Sequence, residues 1–344
     1  MGLRFPTDLG AWHEWQASRN RVRRLKARFT GEQQAPLYLA SSSGTPSILV
    51  VVDAATPSQI AAYLAPALEV EAAGIAVLSG ADVSHLVPSH WSKEIVGASL
   101  VPASLSEVRV VFASGHFLPA SAAAFEWCEA LGATFVVAQH GLITPFQPPL
   151  PPNAHLLAFT RPDAEFWVSG RTDVTHDVVG SQILWRAAQT SPGAAMGEDQ
   201  PPVFLGQLHG AELPRKTSAR TAETFCLTNG AQYRPHPAET DKMSRLQHAV
   251  WKRRGVKFER SGQRLGDLAA PVVSIFSTGV LEAAASGRRS WVTCVDPPDW
   301  IREFWSRYGL SEWGQEPTLA LPAPDIEPSR AVANSLKRIL EGAA

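Results

Sequence analysis

Two α/β domains, each a parallel sheet covered by helices, are predicted by three features of this sequence. Short apolar runs bounded by turn residues recur along the chain, and many are separated by helix-length segments. The pattern breaks once, at the unperiodic stretch 188–202, AQTSPGAAMGEDQPP, and then restarts. The length of 344 residues suits two domains better than one. The expected division is an N-terminal Rossmann-like domain over 1–190, a linker over 191–202, a C-terminal Rossmann-like domain over 203–325, and a closing helix over 326–344.

The elements follow in order. Residues 11–29 place Trp12, Trp15, Val22, Leu25 and Phe29 near the helical period. Arg19, Arg21, Arg23, Arg24, Lys26 and Arg28 lie between them. The segment 1–30 therefore reads either as a basic amphipathic helix on an anionic membrane surface or as a helix packed on the fold with one solvated face. Strands are expected at 47–53, 75–79, 108–114, 134–141, 155–160 and 176–181, with helices at 56–74 and 121–132, the latter closed by Gly132. Beyond the linker, strands are expected at 203–210, 256–259, 271–277 and 290–295. Helices are expected at 243–255, 278–287, 298–309 and 327–342. The stretch 221–237 runs from a helix or strand into a rigid turn.

Composition removes several classes. Net charge is −1, so no global field draws nucleic acid. Cys128, Cys226 and Cys294 stand far apart, an odd set with no metal-ligand spacing, which suits a reducing compartment. No secretory signal is visible, and no run approaches the roughly 18 apolar residues that span a bilayer. The expected location is the cytoplasm, with the N-terminal basic helix as a candidate peripheral contact at the inner membrane face. GxGxxG, GxxxxGK[ST], GxSxG, DxD, HExxH and CxxC are all absent, so neither a standard dinucleotide site nor a metal site is expected.

Four stretches carry candidate chemistry. In VVSIFSTGVLE, a buried strand ends and Ser277, Thr278 and Gly279 open a helix, where free N–H groups and the helix dipole favour a phosphate; ordinary capping is the alternative. Glu282, one turn on, can reach a sugar hydroxyl. In YRPHPAE, Pro235 and Pro237 stiffen the backbone around Arg234 and His236, which prepares the imidazole for an anion unless it is merely solvated. Glu239 reads as the solvated start of the next helix. In VVAQHG, His140 leaves the carboxyl end of a strand, where it acts as a general base or as a structural histidine. In FLGQLHG, Gly206 and Gly210 let backbone approach a ligand. Asp53 ends the first strong strand, where capping a helix is preferred over lining a cleft.

With QHG at 139–141 in the first half, and RPHP at 234–237 and STGVLEAAASG at 277–287 in the second, the chain resembles a GT-B glycosyltransferase. It is more narrowly similar to the CDP-glycerol glycerophosphotransferases (teichoic acid polymerases) and to bacterial sialyl- and capsule-transferases. That resemblance implies two Rossmann-like domains facing across a cleft, no metal or resident cofactor, and a CMP- or CDP-linked donor as substrate. His236, Ser277 and Thr278, with Gly206, Arg234 and Gly279, would hold the donor phosphates, and Glu282 the ribose. His140 would take the proton of a glycan or lipid-linked acceptor during cell-wall or capsule synthesis. A GT-B sugar-nucleotide epimerase and a non-catalytic GT-B-like subunit are the alternatives.

Overall fold

The computed structural model describes residues 2–19, 36–54, 56, 59–70, 74–190 and 200–342. The predicted linker, apart from residues 200–202, and the basic residues from Arg21 to Arg28 lie outside the described residues. The chain divides into two compact units: Met1–Gln182 together with Pro324–Ala344, and Ile183–Ala323. The C-terminal helix therefore belongs to the first unit, although it follows the second in sequence.

The first unit contains β1 (Leu37–Ser41), β2 (Ile48–Val51), β3 (Ile75–Ser79), β4 (Ser92–Val96), β5 (Val110–Ala113), β6 (Thr134–Ala138), β7 (His155–Ala158) and β8 (Thr175–Val178). Their order is β4-β1-β3-β2-β5-β6-β7-β8. Six strands, β2, β3 and β5 to β8, run parallel, but β1 pairs antiparallel with both β3 and β4. The sequence reading missed β1 and β4. In β4, SKEIV, the side chains are mostly exposed, so this edge strand lacks the apolar signature of a buried one.

The helices are α1 (Leu9–Arg19), α2 (Ala65–Leu68, entered through a wider helical turn at Ile60–Leu64), α3 (Pro119–Leu131), α4 (Arg161–Val168) and α5 (Gln182–Gln189). After them come α6 (Arg215–Asn229), α7 (Lys242–Arg253), α8 (Thr278–Ala285), α9 (Asp299–Arg307) and α10 (Pro328–Leu340). Alternation along the strands sorts the first core into two layers. Leu49, Val51, Leu78 and Val111 face Trp127 of α3 and Trp167 of α4. Ile48, Val50, Val77 and Phe112 face Tyr63 and, from α10, Val332 and Leu336. Burying each such side chain contributes about 1.5–3 kcal/mol before chain entropy is set against it. Polar contacts fix α10 as well: the Ser335 hydroxyl and the Arg338 guanidinium both donate to Asp177 Oδ2, at 2.8 and 2.6 Å.

The tryptophans of α1 point into the protein. Trp12 donates its indole N–H to the Phe146 carbonyl at 2.8 Å, and Trp15 stacks on Phe146 with centroids 4.8 Å apart. Among the described residues the aromatic stripe of α1 is thus used for internal packing, and no described helix is long and apolar enough to cross a membrane.

The second unit holds a fully parallel sheet: β9 (Val203–Leu205), β10 (Gln232–Arg234), β11 (Lys257–Phe258), β12 (Val272–Ser274) and β13 (Ser290–Val292), ordered β11-β10-β9-β12-β13. Helix α8 packs close to this sheet. A Cβ on Gly279 would sit 2.5 Å from Leu205 Cδ1 and 2.8 Å from Leu265 Cδ2, so a larger residue there requires those side chains to shift. Both units are Rossmann-like α/β layers. Strand order reverses between β2 and β5 in the first unit and between β9 and β12 in the second. In open α/β sheets, ligands bind outside the carboxyl ends of the strands at such reversals.

Candidate functional site

In the second unit, three loops meet at the carboxyl ends of β9, β10 and β12. Gln207, just after β9, accepts from the Ile275 and Phe276 N–H groups at 3.1 and 3.0 Å, which ties its loop to the start of α8. Ser277 is the N-cap of α8: its hydroxyl oxygen accepts from Gly279 N–H at 3.2 Å, and its own O–H remains available to donate. The half-buried Thr278 hydroxyl has no hydrogen-bond partner among the described residues. These hydroxyls sit at the positive end of the helix dipole.

The turn after β10 is organised by Glu239, and this corrects the expectation that it is solvated. Glu239 is only 5% exposed. Its carboxylate accepts from Leu208 N–H at 3.0 Å, from the Tyr233 hydroxyl at 2.8 Å and from His248 Nε2 at 2.9 Å. One buried acid therefore joins the β9 loop, β10 and α7, and a buried carboxylate with several donors is a costly group made stable by its partners. Gly206 belongs to the same network. A Cβ there would collide with the Tyr233 hydroxyl and Glu239 Oε1, so the glycine makes room for protein groups.

His236 is exposed and held in one tautomer. Its Nδ1 accepts from Ala238 N–H at 3.1 Å, which leaves the ring proton on Nε2 as an outward donor. Burial of part of the ring lowers its pKa and Glu239 opposes that shift, so the ring is neutral near pH 7. His209, which the sequence reading passed over, stacks on it with centroids 3.8 Å apart at an angle of 19°. Burial and the neighbouring His236 lower the pKa of His209 as well. His236 and Ser277 follow β10 and β12, the two strands that flank β9.

The remaining predicted residues of this unit are placed as follows. Arg234 donates to Glu259 Oε2 at 3.0 Å and to the Gln263 carbonyl, so much of its guanidinium is committed to the fold. Glu282 is half-buried and has no hydrogen-bond partner among the described residues. Burial raises its pKa while Arg288 and Arg234 oppose the rise.

In the first unit, the reversal point is marked by Asp53 and Ser114, after β2 and β5. The Asp53 carboxylate accepts from the Ser114 hydroxyl at 3.1 Å and from Ser121 N–H, in the first turn of α3, at 3.3 Å. Asp53 thus caps a helix across the sheet end, and burial raises its pKa. Two strands along, His140 follows β6. Its Nδ1 lies 2.8 Å from the Tyr63 hydroxyl, and burial lowers its pKa to about 4. The ring is half-buried, and its Nε2 has no partner among the described residues. His116, after β5, leaves its Nδ1 buried without a partner and is likewise lowered to about 4, first by burial. Among the described residues, no group of three His, Cys, Asp or Glu side chains is placed to hold a metal ion.

No protein-family model and no curated protein matches the sequence. A solved structure, that of a glycosyltransferase from Rickettsia africae ESF-5, aligns over 87% of this chain and 94% of that one, at 10% identity and a TM-score of 0.45. At that score the likeness carries no residue-level information.

Proposed function

We propose that the chain is a transferase moving a glycosyl or polyol-phosphate group from a CMP- or CDP-linked donor to a glycan or lipid-linked acceptor. The observation that carries this reading is the cluster at the ends of β9, β10 and β12. There the capped start of α8 and the neutral imidazoles of His236 and His209 present donors that suit a phosphate. The unpartnered Glu282 suits a ribose hydroxyl. The cytidine base and the cell-surface acceptor rest on the motif resemblance alone.

In the transfer, the acceptor oxygen bonds to the donor's carbon or phosphorus as the bond to the leaving nucleotide phosphate breaks, and the electron pair leaves with that phosphate. Ser277, Thr278, His236 and His209 stabilise the developing charge. The acceptor's proton passes to Nε2 of His140. A pKa of about 4 keeps that nitrogen unprotonated through the neutral range, although it limits the ring's basicity. Transfer is therefore favourable only as the acceptor hydroxyl becomes acidic in the transition state.

Calorimetric titration with CMP, CDP and UDP, followed by hydrolysis and transfer assays on CMP- and CDP-linked donors, tests this reading. Cytidine nucleotides are expected to bind and a linked donor to turn over. Binding without any turnover supports the non-catalytic subunit, and a changed sugar released without an acceptor supports the epimerase. No response to any nucleotide removes the proposal.

A further inference from the structure

We infer that Tyr63 is a positioning residue that sets the tautomer of His140, placing the ring proton on Nδ1 and the lone pair on Nε2. The inference rests on the transferase reading for its purpose but on geometry alone for its content. Tyr63 lies in the helical turn Ile60–Leu64, and its ring is fully buried. Its hydroxyl is 2.7 Å from the Ala138 carbonyl and 2.8 Å from His140 Nδ1. A carbonyl cannot donate, and a hydroxyl has one proton. That proton goes to Ala138, so the hydroxyl oxygen must accept from Nδ1–H. The opposite nitrogen then carries the lone pair that a general base needs.

The surroundings keep Tyr63 in this role. Phe112 meets its ring edge-on at 5.4 Å and 72°, which limits its swing. Burial, and then the nearby Asp53 carboxylate, raise the phenol's pKa, so it stays protonated. Asp53 is itself held by Ser114 and Ser121. Ala138 alone would satisfy a buried tyrosine's donor. The second bond, across 77 residues of sequence, orients an imidazole at the sheet's carboxyl end. When Nε2 takes the acceptor's proton, the resulting imidazolium still donates its Nδ1–H to Tyr63, so proton transfer requires no ring flip.

The test uses full-length protein with 15N-labelled histidine and long-range 1H–15N correlation at neutral pH. In the wild-type protein, His140 is expected to show a pyrrole-type Nδ1 and a pyridine-type Nε2. In Tyr63→Phe that pattern is expected to be lost, with kcat falling on the order of 10- to 100-fold, part of the roughly 10²–10⁴ that a positioned base supplies. Nucleotide affinity should be unchanged. An Nε2–H tautomer in the wild-type protein overturns the inference, and so does a Tyr63→Phe variant that keeps both the pattern and kcat. If Tyr63→Phe fails to fold, the wild-type spectrum alone decides. The spectrum needs no donor, so a protein that turns over no cytidine-linked substrate defeats the transferase reading while leaving the Tyr63–His140 assignment to stand or fall separately.

Discussion

The two sheet ends each carry a histidine, and the fold prepares the two rings in opposite ways. His140 is half-buried and bonded through Nδ1 to a fully buried tyrosine, so its outer nitrogen accepts. His236 is exposed and bonded through Nδ1 to a backbone N–H, so its outer nitrogen donates. The same residue type turns an acceptor outward in one unit and a donor outward in the other, because the inner hydrogen bond determines which tautomer faces outward; the proposed roles of base and anion ligand follow from that difference. The lesson is that a histidine's role is set by the partner on its inner nitrogen.

The largest expected effect comes from removing the ring of the proposed base, His140. His140→Ala should lower kcat by about 10²–10⁴ with nucleotide affinity unchanged. A parallel loss of affinity in a calorimetric titration would erase the division of labour. Next, Glu239→Ala should destabilise the second unit by about 3 kcal/mol or more, because it strands the Leu208 N–H, the Tyr233 hydroxyl and His248 at once. Urea unfolding measures this, and a wild-type midpoint would show that Glu239 is not the anchor of the His236 turn.

His236→Ala should weaken donor binding about 10-fold or somewhat more, the worth of one hydrogen bond to a charged group. The pH dependence sharpens this. The neutral ring donates through Nε2 while Nδ1 accepts from the Ala238 N–H, and protonating Nδ1 breaks that inner bond, so the affinity for a CMP-linked sugar should depend on pH less in the variant than in the wild type. Smaller still is Ser277→Ala, expected to cost about 1 kcal/mol of stability as a lost cap. A cap with no other role would leave donor affinity at the wild-type value, whereas the proposed site predicts a weaker one.

A last effect concerns His140 and stability rather than transfer. Its folded pKa of about 4 lies below the ordinary 6.5, so the unfolded chain takes up the proton first. The stability of the neutral form is complete above about 6.5 and is lost as pH falls toward about 4. His140→Gln should make the thermal midpoint fall less steeply over that window. An unchanged slope would show that the other histidines shifted in the same direction, His116 and His209 among them, carry the dependence instead.

Local chemistry was legible in the sequence. Gly132 ends α3 in a left-handed conformation at φ 64°, Ser277 caps α8, and the β2 run ILVV is buried throughout. Each follows from a few neighbouring residues: a helix end needs an αL residue, a helix start needs an oxygen acceptor, and a strand covered on both faces needs to be apolar. The alternation of such elements also determined the α/β class. Partners distant in the chain were not legible. Glu239 reads as polar and solvated until Leu208, 31 residues earlier, and His248, nine later, are folded onto it. His209 looks like a loop residue until β9 and β10 align and stack it on His236. Tyr63 looks like core until it meets His140. The sequence by itself determined the buried parallel strands, several of the helices and which residues could titrate, but not β1, β4, α4 or α5. Tertiary structure alone decided which way each imidazole's proton points, because that depends on a single hydrogen bond between residues that only the completed sheet brings together.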